Sequence, residues 1–241
     1  MILCLDAGNT RLKWGCGRAK EGGWITQGAV DHAALDDLPQ QLPESPQSII
    51  ACNVAGPTLA SGIEKLARAL KIPLQWFVSS ESACGVKNRY QQAGQLGADR
   101  WAALISARAM HRGPVVVVVA GTATTIDQLD AEGVFRGGLI LPGLRLMRAS
   151  LARDTANLPL VAFSGGRYCE APDNTDDAIV SGSVHATLGA IERMRRVLNL
   201  NATVVLSGGA AGELQPHIAS PVRAVENLVL DGLLYAARTQ G

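Results

Sequence analysis

Two aspartates stand where a carboxylate could act on a phosphate. Asp6 closes a short apolar run, Ile2 to Leu5, just before the small residues Ala7-Gly8-Asn9-Thr10. At the C-terminal end of a strand beside a tight turn, a carboxylate can hold Mg²⁺, directly or through water, next to nucleotide phosphates. It can also simply close the hairpin as an Asx-turn. Asp99 falls in Leu96-Gly97-Ala98-Asp99-Arg100, where a helical pattern begins. There it could cap the helix, or take the proton from a substrate hydroxyl as that oxygen attacks a γ-phosphorus. Arg100 would then meet an anionic substrate, since a guanidinium matches a carboxylate with two parallel hydrogen bonds.

Two glycines mark the turns that would hold the phosphates. Gly8 follows the first strand, and Gly121 follows the valine run Val115 to Val119, within Ala120-Gly121-Thr122-Ala123-Thr124-Thr125. Glycine at a sharp strand end lets backbone N–H groups and threonine hydroxyls approach an anion closely. Two such turns facing one another would grip a polyphosphate, although each alone also reads as an ordinary glycine turn. Neither G-x-x-x-x-G-K-[ST] nor G-x-G-x-x-G occurs, so P-loop and dinucleotide-fold readings lack their defining parts. The offset 121 − 8 = 113 pairs Ala7 with Ala120, Asn9 with Thr122 and Thr10 with Ala123, and makes Val119 the counterpart of Asp6. Each copy follows the first strand of its half, so the chain reads as an internal duplication.

Those turns need strands and helices to hold them. Arg11 to Gly15 is the expected return strand of a hairpin, Ser48 to Asn53 a buried strand, and Ser61 to Leu70 a helix carrying Ile63, Leu66, Ala67 and Leu70 at helical spacing. Trp76 to Ser79 is a further strand, and Ala98 to His111 an amphipathic helix stopped by Gly113-Pro114. Beyond lie a Gly137-Gly138 turn, Pro142-Gly143, a long helix around Val184–Leu198, and the strand Ala202–Leu206 ending at Ser207-Gly208-Gly209. The break at Gly113-Pro114 divides the chain into 1–113 and 114–241, two α/β halves of similar plan.

Composition removes several function classes. Of 241 residues 47% are hydrophobic and 18% charged, enough apolar surface for a core and too little charge for disorder. Lys+Arg 22 against Asp+Glu 21 leaves no basic excess for a phosphate backbone, and 4% aromatic residues make a poor base-stacking platform, so nucleic acid is not an expected partner. No run of about 18 apolar residues predicts a membrane span, and the opening Met-Ile-Leu-Cys-Leu-Asp lacks the basic start of an export signal. The five scattered cysteines, without a C-x-x-C pair, read as reduced thiols in a cytoplasmic protein. His32, His111, His185 and His217 lack ligand spacing, Arg193, Arg195 and Arg196 read as a solvated helix face, and Trp14, Trp24, Trp76 and Trp101 as core or interface residues.

Taken in order, Asp6-x-Gly8-Asn9-Thr10 with Lys13-Trp14, Tyr90 followed by Gly97-Ala98-Asp99-Arg100, Gly121-Thr122-Ala123-x-Thr125-x-Asp127, Gly137-Gly138-x-Ile140-x-Pro142-Gly143, Asn174-Thr175, and Ser207-Gly208-Gly209 with Leu230-Asp231-Gly232-Leu233 closely resemble type III pantothenate kinase. The resemblance runs through the whole chain. It implies a duplicated actin-like, ribonuclease H-like fold with nucleotide in the cleft between its halves. The implied reaction is phosphorylation of pantothenate to 4′-phosphopantothenate, the first step toward coenzyme A. Carried over residue by residue, the resemblance places ATP on Asp6, Ala7, Gly8, Asn9, Thr10, Arg11, Leu12, Lys13 and Thr122, with Mg²⁺ on Asp6. It places pantothenate on Tyr90, Gly97, Ala98, Asp99, Arg100 and Thr175, with Asp99 as proton acceptor. Without it, Tyr90 reads as a half-buried aromatic and Thr175 as a helix cap. The family also implies a homodimer and a monovalent cation, potassium or ammonium.

One position departs from this pattern. The family's second phosphate turn usually opens with an aspartate, D-x-G-T-A, linked to the monovalent cation, and here that residue is Val119. A valine cannot ligate a cation, so the cation site is absent, or rebuilt from carbonyls and Asp127, or the chain has left kinase chemistry. With Asp6, Asp99, Arg100 and Thr122 in place, an active kinase with altered cation use is the preferred expectation. The alternative is a non-catalytic regulatory or accessory protein of the same family. A sugar or acetate kinase fits the fold but not the Tyr90 to Arg100 segment.

Overall fold

The apolar runs assemble into two sheets built on one five-strand plan. A computed structural model describes residues 1–18, 23–161 and 165–239. In the first unit the strands are β1 (Ile2–Ala7), β2 (Leu12–Gly17), β3 (Trp24–Val30), β4 (Ser48–Asn53) and β5 (Leu74–Trp76), in the order β3-β2-β1-β4-β5. A 3₁₀ helix (His32–Gln41) follows β3, α1 (Pro57–Leu70) joins β4 to β5, and the short strands β6 (Ser82–Ala83) and β7 (Val86–Asn88) precede α2 (Ala98–Met110). The second unit carries β8 (Val115–Ala120), β9 (Ala123–Leu129), β10 (Val134–Pro142), α3 (Leu144–Asp154), α4 (Thr175–Leu198), β11 (Thr203–Ser207), α5 (Ala211–Leu214) and β12 (Val222–Ala224). Its strands run β10-β9-β8-β11-β12. The last helix is α6 (Leu228–Thr239).

In each unit the first two strands pair antiparallel while the first and fourth pair parallel. The 113-residue spacing of the two glycines therefore reflects a repeated topology. The repeat is not strict through the turn. Ala7 pairs with Leu12 but Ala120 pairs with Thr124, so the second turn is one residue shorter and a fixed offset fails beyond it.

Parallel strands covered on both faces need continuous apolar runs, which is why Leu3, Cys4 and Leu5 on β1 and Val115 to Val118 on β8 have no exposed surface. Leu3, Leu5, Ile49 and Ile63 lie in the first core, and Val116, Ile126, Val184 and Val204 in the second. Trp14 and Trp101 are buried. Arg195, read from the sequence as solvated, is 4% exposed, because its guanidinium donates to the carbonyls of Ala219 (2.7 Å) and Ser220 (2.8 Å).

The compact units comprise residues 1–110 with 227–241, and residues 111–226. The sequence division at 113/114 put α6 with the second half, whereas it packs with the first. Gly232 is the reason: a Cβ there would run into the Ala102 backbone of α2, so only glycine lets the two helices come this close. α4 starts well before the apolar pattern suggested. Asn174 caps it by accepting the Asp177 N–H at 2.9 Å, and Asp176 and Asp177 suit the helix dipole. Among the described residues no helix is long and apolar enough to cross a membrane, and all five cysteines are unpaired thiols.

Candidate active site

Register alone groups the first cluster. Asp6, near the end of β1, is opposite Lys13 on β2 and Cys52 on β4, and residues paired across strands share a face. The Cys52 thiol donates to Asp6 Oδ1 at 3.6 Å. The Asp6 carboxyl is pushed up from 3.8 to about 6, first by burial, then by the charge of Asp99 on α2, against the opposing pull of Lys13 and the Cys52 bond. Burial and the same two carboxylates hold the Cys52 thiol protonated. Two carboxylates in one field, with Lys13 the lysine among the groups acting on Asp6, make a site that gains from a cation. Among the described residues there is no cluster of three potential metal ligands. A single carboxylate suits Mg²⁺, which keeps waters and substrate phosphates as its other ligands.

The turn after β1 is tied at both ends. Gly8 N–H donates to Asp6 O (3.2 Å), while His32 Nε2 meets Gly8 O (2.9 Å). Arg11 pairs with Asp31 at 3.5 Å, and Asn9, Thr10 and Arg11 are exposed.

A second group gathers at the start of α2. The Asp99 carboxylate accepts the Arg100 N–H at 2.8 Å. A Cβ on Gly97 would sit 2.5 Å from Asp99 Oδ1, so a glycine leaves room for that carboxylate. The Ser79 hydroxyl holds the approach by donating to Leu96 O (2.7 Å). Arg100 is only 5% exposed; it donates to the Tyr90 hydroxyl (3.3 Å) with its guanidinium carbon 6.0 Å from the ring centre. Tyr90 is itself anchored by its N–H to Asn88 Oδ1 (3.0 Å). Tyr90, Gly97, Ala98, Asp99 and Arg100 thus form one local assembly, and Asp99 links it electrostatically to Asp6.

In the second unit, three loops meet at the end of β8. Gly143 N–H donates to Thr122 O (2.9 Å) and Ala210 N–H to Ala120 O (3.0 Å). A Cβ on Gly143 would strike the Gly121 and Thr122 carbonyls, and one on Gly208 the Ala120 backbone. Thr122 is exposed on this turn. Val119 is flanked by Thr125 on β9 and Ser207 on β11. The Thr125 hydroxyl is buried without a hydrogen-bond partner among the described residues, while Asp127, two positions further along β9, is 1% exposed. Thr175 opens α4 and lines an apolar hollow of about 550 Å³ with Pro142, Met147, Leu151 and Ile179.

Sequence reasoning missed His32, Cys52 and Ser79. Each acts through a contact fixed by strand pairing or loop approach, and carries no motif of its own. For Cys52 a signal existed, since it ends the second buried apolar run, where a strand beside β1 would bring it to Asp6.

The type III pantothenate kinase family profile matches residues 2–197. A curated type III pantothenate kinase from Aromatoleum aromaticum is 50% identical over 242 residues, spanning 99% of this chain and 98% of that protein. Another, from Azoarcus sp., is 44% identical over 241 residues, spanning 98% and 90%. Among solved structures, one provisionally described as a 2-dehydro-3-deoxygalactonokinase from Sinorhizobium meliloti gives a TM-score of 0.62 at 16% identity, covering 100% of this chain and 99% of that one. One provisionally described as an N-acetylmannosamine kinase from Listeria monocytogenes gives 0.56 at 12%, covering 100% and 99%. These likenesses carry the fold, the duplicated actin-like α/β arrangement.

Proposed function

Because the chain belongs to the type III pantothenate kinase family, we propose that it transfers the γ-phosphoryl group of ATP to the primary hydroxyl of pantothenate, opening the route to coenzyme A. The observation that carries this reading is the placement of Asp99 within the field of Asp6, on a segment that also holds Arg100 and Tyr90.

Asp99 accepts the hydroxyl proton as the new oxygen–phosphorus bond forms and ADP leaves. Arg100, fixed by burial and by Tyr90, presents its guanidinium to the pantothenate carboxylate. The segment from Asp6 to Lys13, and Thr122 in the second unit, receive the phosphates through backbone N–H groups, hydroxyls and the Lys13 ammonium. Asp6 is the residue to hold Mg²⁺, which when bound neutralises phosphate charge. Thr175 and its apolar hollow belong to the pantothenate side.

The Val119 side chain offers no ligand, so a monovalent cation does not fit there as it does in the family pattern, and dependence on potassium or ammonium is weak. The family pattern suggests a homodimer, and the large apolar side chains exposed on β10 and α3, Ile140 (65%) and Leu146 (44%), are of the kind an interface would cover. The enzyme works in the cytoplasm, where its five thiols stay reduced. A coupled assay of ADP release tests the reading: release should require pantothenate, and release that ignores pantothenate would overturn it.

A further inference from the structure

The histidine held against the first phosphate turn, His32, has no place in the chemistry above. Its position follows from register. Leu12 at the start of β2 pairs with Val30 at the end of β3, so the chain leaving β3 emerges beside the turn entering β2. Residues 31 and 32 consequently lie against residues 8 to 11. Both make contact: Asp31 with Arg11 at 3.5 Å, and His32 Nε2 with Gly8 O at 2.9 Å. The Arg11–Asp31 side chains are 65% and 76% exposed, and such a pair adds little. The half-buried His32 is the substantive tie.

A carbonyl oxygen only accepts, so the bond requires a proton on His32 Nε2. Its consequence lies in the peptide plane. In a trans peptide the carbonyl of Gly8 and the N–H of Asn9 point in opposite directions. Holding Gly8 O against His32 turns the Asn9 N–H away from His32, in a stretch where Asn9 and Thr10 are exposed. The other end of the same residue is fixed, because Gly8 N–H donates to Asp6 O at 3.2 Å. Gly8 has the widest conformational freedom of any residue type, and these two bonds remove it at the point where an anion must find aligned N–H donors.

We propose that His32 is a positioning residue for nucleotide binding: its hydrogen bond to Gly8 O sets the peptide that presents the Asn9 N–H to the phosphates of ATP. This rests on the reading that residues 6 to 13 receive those phosphates. His32 touches no reacting atom, and its effect falls on ATP and not on pantothenate.

The test compares wild type, His32→Ala and His32→Gln in the full chain, by calorimetry of Mg·ATP binding and by steady-state kinetics. Glutamine carries an amide donor at about the same reach as imidazole Nε2. Losing one such bond should weaken ATP binding and raise the KM for ATP about three- to tenfold in the Ala variant. The KM for pantothenate should stay within about twofold, and Gln should recover most of the loss. His32→Phe, which fills the space without that donor, replaces Ala if Ala fails to fold. Unchanged ATP affinity, equal weakening of both substrates, or a Gln variant no better than Ala would each overturn the proposal. If wild type binds ATP yet forms no phosphorylated pantothenate, the functional reading falls while the calorimetric comparison still decides the role of His32. A wild-type chain that binds no ATP overturns both.

Discussion

Replacing Asp6 by asparagine should stabilise the unliganded protein while disabling it. Burial and the charge of Asp99 raise the Asp6 carboxyl from 3.8 to about 6. At about 1.4 kcal/mol per unit, the ionised form costs the folded state roughly 3 kcal/mol near neutrality. The cost depends on pH with a definite sign. Below 3.8 the group is protonated in both states and costs nothing. As pH rises from 3.8 to about 6 the unfolded chain gives up the proton first, so the folded state loses stability, and above about 6 the penalty is complete. Asparagine keeps the shape, can still accept the Cys52 thiol, and carries no charge. Asp6→Asn should therefore gain on the order of 2–3 kcal/mol at about pH 7 and little at about pH 4. For a chain of this size the unfolding midpoint should rise by roughly 5–10 °C at the higher pH. Thermal unfolding of both proteins at the two pH values, without nucleotide or metal, measures this, and Mg·ATP binding should be weakened in parallel. Equal midpoints near neutrality, or the same gain at both pH values, would refute the idea that Asp6 bears an uncompensated charge awaiting a cation.

Other substitutions probe the remaining parts. Arg100→Lys removes the planar fork held against Tyr90 and should raise the KM for pantothenate by about tenfold or more; pantothenol, which lacks the carboxylate, should be a poor substrate for both proteins, and equal use of the two substrates by wild type would remove this role. Gly143→Ala forces a methyl group into the Gly121 and Thr122 carbonyls, so it should cost about 2 kcal/mol or more in denaturant unfolding and raise the KM for ATP; a silent variant would show that the loops are not packed as described. Val119→Asp should increase dependence on potassium, with sodium holding ionic strength fixed, and lower stability modestly without a cation, since position 119 is half-buried and an unpaired charge there is partly desolvated. If wild type already depends on potassium as steeply, Val119 is irrelevant to cation use.

The repeated plan was legible because two long apolar strands each break into a glycine turn at the same point of their half, and because Asp6 and Asp99 sit at a strand end and a helix start where carboxylates have work to do. The assignment of α6 to the first unit was not. It depends on Gly232 meeting the Ala102 backbone, a contact between residues far apart in sequence that no local pattern announces. Ser181, Gly182 and Ser183 interrupted the apolar period and hid the first part of α4, which its Asn174 cap secures instead. Arg195 looked solvated because its neighbours are, and only the carbonyls of Ala219 and Ser220 explain its burial. His32 was one of four scattered histidines until the pairing of Leu12 with Val30 brought it to Gly8.

The most direct measurement is the rate of phosphopantothenate formation from ATP and pantothenate, resolved by mass, for wild type and Asp99→Asn at saturating substrates. A positioned general base typically contributes about 10²–10⁴ in rate. Asp99→Asn should therefore lose that factor in kcat while keeping its fold, as judged by a cooperative unfolding transition with a midpoint no lower than that of wild type, since losing the Asp99 charge also relieves its repulsion of Asp6. Wild-type turnover by the Asn variant would contradict the assignment of Asp99, and no phosphorylated product from wild type would contradict the kinase reading itself.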